Sequence, residues 1–469
     1  MCTMHTCCHK NMVTTAVSLE WKGLYNVYKK NSFRSSFGGI VDMSLIIRNA
    51  KIRGYAELQD ICISGEKILK IVSSKNNSDF DGKIVDVQGC YVYPSFVNAH
   101  FHLDKVLMTD SATEDSTYIG GKEVGGLSVA KEKLTAKDVI RRGEKIIELA
   151  MSSGTTYIRS NVDIDPIVGF RALEGVLELQ DKYSDKLYIE LVAFPQEGFS
   201  SSPKVKNMLE EALKMGVEII GGKPASDPMD KKGHIDTLIE LAKKYDRDLD
   251  IHIDTDMNLD YNNNVSRHKD GKLYPNDLEV VYLAEQVIEH GLEGNVTVGH
   301  LVALDCLKPQ LRSNVIELLV KAKINVVTCP TVSLYEMGRD DSYNTRRGVT
   351  NVKELMKSGV NTAYGTDNVG DAFNIFASAD MMMHGIITAM TCHMKTAKEI
   401  ETIMDMSTII PAKIMKLHDY GLKAGGDASL IVFDGNDFYD IFVNNKIRKQ
   451  VYSKGKLVAI NWHGHMLVP

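Results

Sequence analysis

His100 and His102 are separated by one residue in the run NAHFH. If that run ends a β-strand, alternation places both imidazoles on one side, where they can share a cation. His252 closes the run DLDIH, His300 closes NVTVGH and Asp367 closes VNTAYGTD. A histidine pair alone is often an accident, and a lone strand histidine is often a satisfied core residue. Four histidines and an aspartate, each at the end of an apolar run, point instead to a metal centre. A divalent cation lowers the pKa of water to about 7 and makes hydroxide available at neutral pH. Three neutral imidazoles and one carboxylate keep the charge of such a site low and leave room for the water. A carboxylate such as Asp367 can take the water's proton and return it to a leaving nitrogen.

These residues do chemistry only if the chain brings them together. From about residue 92, apolar strands alternate with amphipathic helices. The strand candidates are YVYPSFVNAH, TTYIRSNVD, LYIELVAF, VEIIGG, DLDIHID, NVTVGHL, INVVTC and VNTAYGTD. Thr135 with Asp138 reads as a variant capping box, followed by Val139, Ile140, Ile146, Ile147, Ala150 and Met151 on one face; Asn276 with Glu279 reads as a second box. Gly154, Gly216, Gly291 and Gly359 stand where helices need C-caps. Eight βα units predict a parallel (β/α)8 TIM barrel over 94–417, with catalytic groups at the C-terminal strand ends. Short β-rich runs at 43–93 and 418–465 predict a small β-sandwich domain built from both flanks. Residues 1–42 lack periodicity and read as an unstructured or dispensable extension. Cys7, Cys8 and His9 within it are better read as tail than as ligands. Removing 1–42 is expected to leave activity and melting temperature essentially unchanged, checked by assay and thermal unfolding of the truncated chain.

The 469 residues are 44% hydrophobic and 25% charged, ordinary for a globular protein with a large core. A net charge of −6 and the lack of basic runs argue against a nucleic-acid partner. No apolar stretch is long enough to span a membrane. The cysteines form no CxxC pair, which suits a reducing, cytoplasmic setting. A homo-oligomer is compatible with the sequence but not fixed by it.

Beyond these spacings, VYPSFVNAHFHLDK, LVAFPQEGF, GRDDSYNTRRGVTNVKEL and GTDNVGDAFN resemble the cytosine deaminase branch of the amidohydrolase superfamily, from about Met43 to Lys456. The resemblance implies one catalytic divalent metal, zinc or iron(II), held by His100, His102, His252 and Asp367. His300 would orient or polarise the attacking water. Gln196 would read the amide edge of a small heterocyclic substrate; a primary amide both donates and accepts, so it suits that edge. The alternative is a loop glutamine that caps a strand end.

Two positions depart from the branch. Its members carry a proton-shuttling glutamate three residues after the fifth-strand histidine, where this chain has Thr255, and a second aspartate after the eighth-strand ligand, where it has Asn368. Asp254, two residues after His252, is the nearest replacement acid by strand alternation, and Asp256 the next; both can instead cap or solvate the loop. Lys105 resembles a lysine of the N-isopropylammelide amidohydrolase type and would polarise the ring, or else pair with a nearby acid. Lys223 leaves open a second, bridged metal. Asp380 to His384 reads as core packing, with His384 and His393 not ligands, and Arg339, Asp340, Asp341, Arg346 and Arg347 as ties in the seventh-strand loop. The function this predicts is hydrolytic deamination of a cyclic amidine: a pyrimidine, purine, pterin or triazine. Ring-amide hydrolysis of the hydantoinase kind and a binding protein that has lost catalysis are the alternatives.

Overall fold

The computed structural model of the protein describes residues 44–76, 80–108, 117–119, 122–124, 126–339 and 341–462. The extension 1–42, with Cys7, Cys8 and His9, lies outside the described residues, as does Asp340.

Eight parallel strands form one sheet whose neighbours follow chain order: Phe96–Phe101, Thr155–Asp163, Tyr188–Phe194, Ile219–Gly222, Leu249–Ile253, Val296–His300, Asn325–Thr328 and Thr362–Tyr364. They are called here barrel strands one to eight. The sheet closes where Asp367 N–H donates to the His100 carbonyl at 2.9 Å, Phe101 bridges Asp367, and Asn98 Nδ2 donates to Thr366 Oγ1 at 2.7 Å. The closure therefore holds the two ends of the donor set side by side.

Period-two alternation explains how one sheet serves both a core and a site. On strand five, Leu249, Ile251 and Ile253 join the apolar cluster shared with the surrounding helices, while Asp250 and His252 occupy the opposite face. Helix Ala136–Ser152 supplies part of that cluster through Val139, Ile146, Ile147, Ala150 and Met151. Thr135 accepts from Asp138 N–H, but the Asp138 carboxylate turns to Arg141 and Arg142, so only half of the expected box forms. The box expected at Asn276 does not form: helix Glu279–His290 has no side-chain cap at its N-cap residue, Leu278, and Asn276 Oδ1 accepts from Ser266.

The first strand candidate divides at Ser95. Val92–Pro94 pairs with Leu430–Phe433, and only Phe96–Phe101 enters the barrel. Leu430–Phe433, Arg448–Ser453 and Lys456–Ile460 complete that flanking sheet, and a second holds Leu45–Ala50, Gln59–Ser64, Lys67–Ser73 and Lys83–Asp86. Both contribute to one apolar cluster that includes Ile47, Ile61, Ile63, Val92, Leu430 and Val432. No described helix is long and apolar enough to cross a membrane. His384 is buried and bonded to Thr331 and the Ser378 carbonyl, a packing role.

Candidate metal centre

The donors converge at the C-terminal mouth of the barrel. Ligand atoms of His100, His252, His300 and Asp367, all buried, lie within 4.8 Å of one another. His102 joins them: its Nε2 is 3.1 Å from His252 Nε2 and 3.2 Å from Asp367 Oδ1. His100 Nε2 is 3.1 Å from His252 Nε2 and 3.7 Å from Asp367 Oδ1. Donors about 2.0–2.1 Å from a tetrahedral metal stand about 3.4 Å apart, so these separations fit a shared cation. Both Asp367 oxygens and His300 Nε2 are buried without a hydrogen bond, the state expected of groups shaped for a missing partner.

Backbone conformation does what alternation cannot. Register pairs Asp250 with Thr297 and His252 with Gly299, so His300 is out of phase with the inward row. Its φ of +69° breaks the strand and leaves Nε2 3.6 Å from Asp367 Oδ2. Asp367 also has positive φ, +57°; such residues cluster at functional sites. Two glycines make room for the first histidine. A Cβ on Gly365 would stand 2.7 Å from the His100 carbonyl oxygen, and one on Gly299 2.8 Å from its Cε1. Gly365→Ala is expected to cost about 1–3 kcal/mol and to weaken zinc binding, read by thermal unfolding and chelator competition.

Burial keeps three of the imidazoles neutral: it lowers His102 to about 3, helped by Lys105, His300 to about 4, and His252 well below its usual value. Asp367 is held far below the carboxylate range, because the histidines outweigh its burial. Phe194 stacks on His252 at 4.3 Å.

The pattern of the amidohydrolase family runs through residues 91–458. The chain belongs to the amidohydrolase family. It is 26% identical over 435 residues to N-isopropylammelide isopropyl amidohydrolase of a Pseudomonas species, covering 89% of this chain and 98% of that one. It is 26% identical over 379 residues to the pterin deaminase of Rhizobium rhizogenes, covering 80% and 82%. The crystal structure of 5-methylcytosine deaminase from Klebsiella pneumoniae liganded with 5-fluorocytosine superposes with a TM-score of 0.79 at 27% identity, covering 91% of this chain and all of that one.

Around this amidohydrolase centre, the remaining sequence candidates fall out unevenly. Lys105 Nζ is buried, 2.6 Å from Asp163 Oδ1, 3.1 Å from His102 Nδ1 and 3.6 Å from Asp104 Oδ2. Burial pulls it down, but the two aspartates outweigh this and raise it. Pairing with a nearby acid, one of its two readings, is where the structure places it. Lys131 also reaches Asp163 at 3.0 Å, as well as Asp165 and, at 3.0 Å, Glu197. Asn368 Nδ2 donates to Asp371 at 2.6 Å. Gln196 follows strand three, its carbonyl held by Ser226 at 2.8 Å.

Neither candidate acid is brought to the histidines. Asp254 Oδ1 and Oδ2 each accept a backbone N–H at 2.9 Å, from Glu279 and Val280, so Asp254 is the missing cap of that helix. Asp256 accepts the Tyr261 hydroxyl. In the seventh-strand loop, Asp341 pairs with Arg346, whose guanidinium also reaches the Met257 carbonyl. Asp163, Lys131, Phe194 and Asp371 were not singled out in the sequence. Asp163 ends the run TTYIRSNVD, Phe194 lies in LVAFPQEGF and Asp371 in GTDNVGDAFN, whereas Lys131 belongs to no such run.

Proposed function

We propose that this amidohydrolase uses one divalent ion, zinc or iron(II), to remove an amino or alkylamino group hydrolytically from a small ring amidine. The observation that carries the reading is the set of 3.1–3.7 Å separations joining His100, His102 and His252 Nε2 with Asp367 Oδ1. These four would hold the ion, which when bound supplies hydroxide at neutral pH. His300 Nε2 and Asp367 Oδ2, 3.6 Å apart, would hold a proton and pass it to the leaving nitrogen. Gln196 and Asn368 orient the ring through amide hydrogen bonds. Asp371 fixes the Asn368 amide by taking its N–H, leaving Oδ1 to accept from the substrate. Lys105, its charge balanced by Asp163 and Asp104, lies 3.1 Å from His102 Nδ1; an ammonium only donates, so it would turn wholly to the aspartates when His102, protonated at Nδ1, offers Nε2 to the ion.

The test is release of ammonia or alkylamine from N-isopropylammelide, pterin, 5-methylcytosine, cytosine and an adenine nucleoside, with zinc- and iron(II)-loaded protein. At least one ring amidine is expected to turn over. Cytosine is expected to be poor, and Thr255→Glu with Asn368→Asp to improve it. Metal-loaded protein that releases nothing from these but opens a hydantoin or dihydroorotate would replace deamination with ring-amide hydrolysis.

A further inference from the structure

Beneath the histidines the barrel interior holds a polar layer that the proposed reaction does not use. Arg159 on strand two, Glu190 on strand three, Asp250 on strand five and Thr297 on strand six are all buried. Arg159 Nε donates to Glu190 Oε2 at 2.5 Å and its Nη1 to Asp250 Oδ2 at 2.9 Å. Placing three charged groups in a barrel core costs several kcal/mol per ion before pairing, and one cation facing two carboxylates leaves an excess of one negative charge. Replacing the group with apolar side chains would often be neutral or stabilising, so stability alone does not account for it.

The unpaired end of the layer points to its use. Asp250 Oδ1 is buried without a hydrogen-bond partner, and so is Nδ1 of His100. The two atoms are 3.8 Å apart, and both side chains are fully buried. That distance is beyond a hydrogen bond, yet an orphan carboxylate oxygen and an orphan ring nitrogen face each other inside a packed barrel. A shift of less than about 1 Å would join them. An imidazole that offers Nε2 to a cation carries its proton on Nδ1 and needs an acceptor for it. Alternation along strand five supplies both halves: His252 enters the donor group, and Asp250, two residues earlier on the same face, meets His100 from below.

We propose that Asp250, clamped by Arg159, is a positioning residue that accepts the Nδ1 proton of His100 and thereby aims the Nε2 lone pair of His100 at the metal. The excess negative charge of the layer then lies on the side of His100 opposite the cation, where it favours loading. This rests on reading the histidine group as a metal site, and goes beyond it by naming what sets one ligand's tautomer.

The decisive measurements are the tautomer of His100 in the metal-free wild-type chain, by 15N-histidine NMR, and the zinc dissociation constant by competition with a chromophoric chelator. The Nδ1–H tautomer is expected. Asp250→Ala should weaken zinc binding by about 10–100-fold. Asp250→Asn should weaken it at least as much: Arg159 requires the amide oxygen, so the NH2 turns to His100 and favours the Nε2–H tautomer, which blocks the metal side. An Nε2–H tautomer in the wild type, or zinc binding by Asp250→Asn within about threefold of wild type, overturns the proposal. The wild-type spectrum decides even if Asp250→Ala does not fold. Wild-type protein that binds no zinc defeats the metal reading itself; tight wild-type binding unaffected by Asp250→Asn defeats only the positioning role.

Discussion

Asp367→Ala should lower turnover by at least about 10⁴-fold and strip the protein of metal, with the barrel still folded. Three features of the residue combine in that result. Its carboxylate is the only negative charge in the converging group, since burial keeps His102, His252 and His300 neutral. Without it, a divalent ion would have no anionic ligand in a low-dielectric barrel, and much of its charge would be buried uncompensated. Water deprived of the ion returns toward its ordinary pKa of about 15.7, which at neutral pH removes most of the available hydroxide. Finally, the backbone at 367 has φ +57°, a region Asp and Asn tolerate better than Ala. Asp367→Asn therefore separates the effects: it keeps the backbone and shape but not the charge, and should lose metal with the smaller change in melting temperature. Elemental analysis, thermal unfolding and amine release read the three quantities. Active Asp367→Asn carrying a full metal complement would mean that the cation is held elsewhere.

The barrel was legible because its strands carry two independent signals. Outward rows such as Leu249, Ile251 and Ile253 gave the apolar periodicity, and chemistry-bearing residues marked the strand ends. What escaped the sequence were matters of three-dimensional pairing. Nothing local distinguishes the strand before Ser95 from the one after it, although each hydrogen-bonds to a different sheet. Asn276 has the spacing of a cap, but Asp254, arriving from strand five, occupies both amides. Lys105 and Lys131 share Asp163 across three separate segments, an arrangement with no sequence spacing to reveal it. His300 was found by its place at a strand end, whereas its inward turn depends on a positive φ that residue type alone does not announce. The role of Gly365 is likewise set by how closely strand eight approaches His100.

The second large effect separates the two candidate proton carriers. His300→Asn should lower kcat by about 10²–10⁴-fold, with metal content and melting temperature near those of the wild type. Asn accepts the positive φ at this position but cannot carry a proton at neutral pH. Asp254→Asn should do the opposite. Burial and Glu279 push the Asp254 carboxyl up, which by itself would suit an acid. Yet two backbone N–H groups at 2.9 Å occupy both its oxygens and favour the ionised form. An amide there must turn its NH2 toward one of those donors, so one cap bond is lost and a buried N–H is left unmet. The expected cost is about 1–2 kcal/mol of stability, while kcat at a temperature well below unfolding stays within about threefold. Continued alternation would put Asp254 on the same face as His252, but strand five ends at Ile253, and the φ of +48° at residue 254 ends the alternation one residue too soon for that argument. If Asp254→Asn instead lowers kcat a hundredfold with an unchanged melting temperature, the acid is Asp254, and the helix must release it during turnover. If His300→Asn leaves kcat intact, the leaving nitrogen takes its proton from a group other than the His300 and Asp367 pair.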